Sequence, residues 1–456
     1  MFRQASFTLI VLLGSVACAA CSPGQSDPSP EANVPNPASV HCEQNGGRLE
    51  LVPDAAGGTA GICIFPDGSQ CEEWAFFRGE CEPGGAPAAP GAGVSPTAES
   101  PSPASQPGAL RVAYSKGNQV AVWTEGGAPR ALADANNVEQ VRISDDGQVV
   151  AYVARSSPGG YELFAVNADG TNPRRLVGQD YLQSIQPADR AVSFDFAPAS
   201  HTLYFVTDQY DLHRVDADGG APASLFGAGR GGFFSFSPDG QWMTLYHPNE
   251  LVLARLDGSE ARVVFQYPED FQYTLMGPEI AWKGDASGFY LVSASGPQGS
   301  LNNMTVWFIP LAGEPVKQMS YSGPYGAHLS PDGRSVVYVY FQHEPVDVHV
   351  VTADGKDVTI GSYAKVSFLG WAPDSKHFLL NLSQDERLVL PHLCAPGEQP
   401  VKLTDTDDAL PVVWVDGQRV LFASRGKALR LQSLGTPSIL LDVDASSWFD
   451  YAGLSE

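Results

Sequence analysis

Among the residues able to do chemistry, the cysteines have the most informative spacing. Cys42, Cys63, Cys71 and Cys81 crowd into one short stretch. As thiolates they could hold zinc; as oxidised pairs they would make two disulfides. Structural zinc sites favour paired CxxC spacing, which is absent here. Two disulfides are therefore the reading, and four cysteines leave three pairings open. Cys18 and Cys21 close an apolar N-terminal run and suit thioether lipidation, with Cys21 preferred and Cys18 the alternative. Cys394 stands alone, with no His/Asn constellation to activate it, and reads as an inert thiol. His213 and His349 fall inside strand-like runs and read as structural. His247 and His343 fall in connections, where they could reach a ligand. The acids Asp405, Asp407 and Asp408 form the best calcium candidate, and the acid-bearing turns at 145–147 and 216–219 are weaker ones. None has the ligand ladder of an EF-hand loop. GxSxG, HExxH, P-loop and GxGxxG motifs are all missing. No catalytic residue and no cofactor is expected, apart from calcium at the DTDD site.

The elements that must position these groups repeat. One turn reads SDDG at 144–147, SPDG at 237–240 and 330–333, and APDS at 372–375. A second turn follows as NADG at 167–170, DADGG at 216–220, LDG at 256–258 and TADG at 352–355. The period, about 40–50 residues, is that of propeller blades. Short runs such as VVAYVA, TLYFVT and SVVYVY flank the turns and read as strands. Pro presets the turn, Asp tolerates the next position and Gly supplies positive φ. No helical periodicity is evident beyond Leu110. Seven copies have four strands, starting near Glu139, Ala191, Gly231, Pro278, Tyr325, Val366 and Leu410. A further copy at 110–133 has only three. The strand-like run SSWFDYA at 446–452 would supply its missing strand and close the ring, removing exposed sheet edges. Eight blades are expected, with seven the alternative.

The remaining segments order themselves around this ring. Residues 1–20 read as a signal peptide, too short for a comfortable membrane span. Residues 21–37 are Ser/Pro-rich and read as a tether. Residues 38–82 form the cysteine-rich module, residues 83–107 a Pro/Ala/Gly linker, and residues 108–456 the propeller. In the module, Trp74, Phe76 and Phe77 read as a miniature core rather than a membrane-lytic patch.

Two resemblances follow from these motifs. The SPDG turn, a YVY-type strand and an ADG turn resemble the TolB-like or WD40-like propeller repeat, over roughly residues 110–452. The module is similar to a short domain of exported bacterial proteins that carries a haemolysin label. The matching residues are Cys42, Gly46, Gly47, Gly61, Cys63, Phe65, Asp67, Gly68, Cys71, Glu73, Trp74, Gly79, Glu80 and Cys81. The first resemblance implies a fold that serves scaffolding, peptide binding and peptidase gating; the second implies no mechanism.

Charge narrows the partners. With 27 Lys+Arg against 51 Asp+Glu, the formal net charge is −24. Phosphate contacts need a basic face, so nucleic acid is not expected. The tight turns of a blade emerge on one face of the disc, and the longer connections on the other. Long loops on a rigid scaffold are where recognition concentrates. The expected ligand-binding residues are Tyr181, Asp208, Tyr210, Tyr246, His247, Asp270, Tyr273, Tyr321, Tyr325 and His343, because Tyr combines contact area with a polar handle. The expectation is an exported, lipid-anchored bacterial envelope protein that recognises a protein, peptide or glycan, touching the membrane only through its lipid. The alternatives are a propeller enzyme of lyase, lactonase or cyclase type with a channel site, and a small module acting as inhibitor or toxin.

Overall fold

The structure is a computed structural model. It describes residues 42, 45–53, 59–72, 76, 109–156, 159–186, 190–207, 210–227, 229–247, 250–267, 279–294, 303–322, 327–340, 345–384, 389–403, 409–424 and 427–453. The chain divides into two units, one within residues 11–104 and one containing residues 105–456.

In the first unit, strands Arg48–Pro53, Thr59–Ile64 and Gln70–Glu72 form an antiparallel sheet. A disulfide joins Cys42 to Cys63, so neither sulfur is a thiolate ligand for zinc. Cys71 is also disulfide-bonded, and Cys81 lies outside the described residues. Gly47 sits against this bridge: a Cβ there would collide with Cys63 Sγ and Cys42 Sγ. Phe65 is buried, and Phe76 meets it edge-on at 4.8 Å between ring centres. A core this small depends on its staples.

The second unit is a ring of eight four-stranded antiparallel sheets. Seven blades run in simple chain order, from Val138–Ile143 at the start of the first to Ile439–Asp442 at the end of the seventh. The eighth takes its first strand, Ala445–Ala452, from the C-terminal end and its other three from Arg111–Lys116, Gln119–Thr124 and Arg130–Asp134. Phe449 pairs with Tyr114 and Ala452 with Arg111 in that closure. The seven-bladed alternative is thereby set aside.

The repeated turn explains its own sequence. Ser144 Oγ donates to Asp146 Oδ1 at 2.6 Å, and Gln148 N donates to the same oxygen at 3.0 Å. Val149 N returns to Ser144 Oγ at 3.0 Å. Ser237 with Asp239, and Ser330 with Asp332, repeat this arrangement. Gly147, Gly240 and Gly333 all sit at positive φ, between 63° and 69°, which Gly adopts without a Cβ penalty. The turn acids are thus spent on backbone N–H groups, as hairpin caps.

The blades pack through apolar strands buried on both faces; Phe194, Phe205, Phe289, Phe378 and Phe422 are fully buried. Innermost strands are also stitched to their neighbours by side chains. Gln140 Nε2 donates to the Phe194 carbonyl at 2.7 Å, and Trp371 Nε1 to the His328 carbonyl at 3.0 Å. Trp414 Nε1 donates to the Gly370 carbonyl at 3.2 Å, and Tyr451 Oη to the Trp414 carbonyl at 2.7 Å. Asp450 accepts the Ile143 N–H at 2.9 Å. Buried donors and acceptors are satisfied between blades as well as within them.

One sequence expectation fails. A helix, Gln179–Ile185, lies in the connection from the first blade to the second. It buries only Leu182, too little apolar surface to leave a periodic signal. Its start is held from outside, because the Glu162 carboxylate accepts the Gln179 N–H at 3.1 Å and an Arg175 N–H at 3.0 Å.

Candidate binding face and channel mouth

Antiparallel order within each blade fixes the two faces. First-to-second and third-to-fourth turns share one face; second-to-third and blade-to-blade connections share the other. The tight-turn face is knitted for structure. His201 there bridges Asp218 (Nδ1, 2.8 Å) and Asp146 (Nε2, 3.1 Å) on the first two blades. Burial opposes charge on this imidazole, but the two carboxylates outweigh it and raise its pKa. The carboxylates bond to opposite ring nitrogens, so they clamp the ring rather than gather round one ion. No group of His, Cys, Asp and Glu among the described residues could hold a metal.

The long-connection face receives several of the expected residues. Tyr181 projects from the helix, and its hydroxyl meets His213 Nδ1 at 3.0 Å. His213 is buried and stacked on Phe205, and burial lowers its pKa, consistent with a structural role. Tyr210 takes a left-handed φ of 64° and sets its ring edge-on to Phe233 at 5.7 Å. His247 spans Nδ1 to Glu250 at 3.5 Å and Nε2 to the Gly231 carbonyl. Tyr246 and Tyr321 are both only 6% exposed. They end strands whose side chains fill the space between blades, so packing claims their rings. Asp208, Asp270, Tyr273, Tyr325 and His343 lie outside the described residues, as do Asp405, Asp407, Asp408, Cys18 and Cys21.

Sequence reasoning missed the groups at the channel mouth. Glu279 immediately precedes the innermost strand Ile280–Trp282 of the fourth blade, and His328 opens the innermost strand His328–Leu329 of the fifth. Glu279 Oε2 and His328 Nδ1 stand 3.9 Å apart, with side chains 36% and 32% exposed. Burial nevertheless raises the Glu279 pKa to about 7, against the pull of a Leu329 N–H on its carboxylate. Burial likewise lowers His328 to about 4. Both groups are thus partly exposed yet poorly solvated. The imidazole lies flat on Phe368, 4.0 Å between centres and 6° from parallel. Tyr321 Oη is buried without a hydrogen-bond partner. Burial, then the charges of Tyr338 and Glu279, raise its pKa. Trp448, in the innermost strand of the eighth blade, is 41% exposed. The available signal was positional: Glu279 and His328 lie about one repeat apart, each beside the start of an innermost strand.

Fold and stapled module together define the class: an eight-bladed β-propeller preceded by a small disulfide-bonded domain. Residues 33–80 match the family described as a domain of unknown function, DUF333. Over 73 residues the chain is 38% identical to the uncharacterized protein YoaF of Escherichia coli K12, covering 16% of this chain and 86% of that protein. The same figures hold for YoaF of Shigella flexneri. Through that stretch the chain belongs to the same family as YoaF. Among solved structures, the chain is similar to TolB from Acinetobacter baumannii at 12% identity, TM-score 0.34, covering 67% of this chain and 82% of that one. The β-propeller domain of the Pyrococcus furiosus Trilobed protease gives 14%, 0.38, 70% and 89%. A puromycin-hydrolyzing peptidase of Mycobacterium tuberculosis gives 14%, 0.45, 68% and 54%, so this chain spans about half of that enzyme. These are likenesses of fold.

Proposed function

We propose that the protein is an exported lipoprotein of the bacterial cell envelope, anchored through Cys21, whose propeller recognises a protein, peptide or glycan on its long-connection face. The observation that carries this reading is the asymmetry of the disc. The tight-turn face commits its acids to hairpin caps and to the His201 clamp. The other face offers Tyr210, Trp448 and the Glu279–His328 pair around the channel mouth. No helix among the described residues is long and apolar enough to cross a membrane, and the lipid would then be the membrane attachment. The Glu279–His328 pair also favours a second reading, an enzyme doing acid–base chemistry at the mouth, since a carboxyl group titrating near neutrality suits proton transfer.

Lipidation is tested by labelling cells with an alkyne fatty acid. The protein is expected to carry label and to fractionate with membranes, and Cys21→Ser to abolish both. Label that survives Cys21→Ser but not Cys18→Ser would move the anchor to Cys18. Absence of label in the native chain would overturn the anchor.

A further inference from the structure

A cavity of about 640 Å³ opens where the ring closes, within the roughly 300–1,000 Å³ typical of small-ligand sites. Its lining comes from both ends of the propeller. Lys116 and Asn118 belong to the second-to-third connection of the eighth blade, and Asn136 to the connection from that blade to the first. Lys427 belongs to the second-to-third connection of the seventh blade, and Asp444 to the connection into the closing strand. All of these lie on the long-connection face. The cavity therefore exists only once Ala445–Ala452 has paired with Arg111–Lys116. Its walls are tied to the scaffold. The Ala445 N–H donates to the Lys427 carbonyl, and the Ala135 N–H to the Asn118 carbonyl, each at 2.8 Å. Lys116 Nζ donates to the buried Asp442 at 2.7 Å, engaging one of its three donors. Gln119 Nε2 donates to Asp134 Oδ1 at 3.0 Å, and both residues line the cavity. Lys427 and Asp444 each hold a left-handed φ of 58°, uncommon outside Gly. Such conformations persist where the surrounding structure imposes them, and they concentrate at ligand sites.

The lining chemistry selects the ligand. Apart from Gly117, every described lining residue carries a polar side chain. Two ammonium groups, two carboxylates and three carboxamides share one concavity. An anion would meet the carboxylates of Asp134 and Asp444, and a cation would meet Lys116 and Lys427, so either sign is opposed. A neutral ligand that both donates and accepts meets no such penalty. A hydroxyl does both, and so does the carboxamide that reads it. Ligands rich in hydroxyls and free of charge are neutral sugars. Peptide side chains instead gain from apolar contact, which the described lining does not offer. We propose that the cavity at the closure of the ring is a saccharide subsite, holding a neutral sugar unit of a glycan. This rests on the binding reading above, and narrows its ligand to a glycan. Asn118, Gln119 and Asn136 read the hydroxyls, while Lys116 and Asp444 close the two sides.

The test is saturation-transfer NMR on the full chain, solubilised in a detergent that contains no sugar. The probes are maltose, lactose and N,N′-diacetylchitobiose. Glucose 6-phosphate and glucosamine are the charged controls, and glycerol is the control for any polyol. Saturable transfer to at least one neutral disaccharide is expected, stronger than to either charged sugar, with none to glycerol. Asn118 and Asn136 are exposed, so replacing their side chains leaves the fold intact. The double variant Asn118→Ala/Asn136→Ala should weaken binding about 10-fold or more, as the loss of two side-chain hydrogen bonds implies. Its melting temperature should match that of the native chain. Transfer to none of the three disaccharides, equal transfer to glycerol, preference for a charged sugar, or undiminished binding in the folded double variant would overturn the subsite. Photo-crosslinking from the long-connection face would still report a protein or peptide partner after such a result, so the two readings fail separately.

Discussion

Deleting residues 445–456 is expected to abolish cooperative unfolding of the propeller and to drive the chain into soluble oligomers or aggregate. The strand Ala445–Ala452 contributes Ala445, Phe449 and Ala452 to the core. It also receives the Ile143 N–H on Asp450 and gives the Tyr451 hydroxyl to Trp414. Truncating one buried Phe costs about 3–5 kcal/mol. Losing the whole strand approaches the roughly 5–15 kcal/mol that holds a typical protein folded. It also uncovers the edge of Arg111–Lys116, a template for pairing with another chain. Calorimetry with size-exclusion chromatography reads both effects. A monomer melting within about 2 °C of the native chain would mean that the ring does not depend on this closure.

The second expectation concerns pH. In the fold the Glu279 pKa is raised to about 7, against about 4.3 unfolded. The folded state holds this proton more tightly. Its contribution to stability is therefore greatest below about pH 4.3, declines as pH rises through 7, and is flat above. His328 behaves oppositely. Its folded pKa of about 4 lies below the unfolded value of about 6.5, so acid costs stability between those two values. The pair alone would favour the fold most between about pH 4 and 6.5. Glu279→Gln should therefore stabilise the protein at pH 8 relative to pH 4.5. The gain is about 1–2 kcal/mol, after allowing for solvent that reaches a third of the side chain. His328→Gln should stabilise only in acid. Thermal melts of both variants at pH 4.5, 6 and 8 read this. Parallel pH profiles for native and Glu279→Gln proteins would show that the carboxylate titrates normally.

Blade number and closure were legible because turn chemistry leaves little choice of residue. A Ser that bonds an Asp two positions on, followed by a Gly at positive φ, must be spelled out at 144–147, 237–240 and 330–333. The incomplete copy at 110–133 required a fourth strand, and one strand-like run remained to provide it. The helix Gln179–Ile185 was illegible because its stability comes from Glu162, at its N-terminus, rather than from an apolar stripe. Tyr246 and Tyr321 are hard to read because an aromatic at a strand end serves a blade interface as readily as a ligand, and both are buried here. Glu279 and His328 went unseen because each is single in sequence. Only the packing of neighbouring innermost strands brings them to 3.9 Å.

The central claim is that recognition belongs to the long-connection face. It is tested most directly by placing a photo-crosslinking residue at four exposed positions of the full chain in its native cells. Lys427 and Trp448 lie towards the long-connection face and channel mouth; Asp239 and Asp354 lie in the tight turns opposite. The account predicts a discrete light-dependent adduct from Lys427 or Trp448 and none from Asp239 and Asp354. An adduct of equal or greater yield from Asp239 or Asp354 would contradict it.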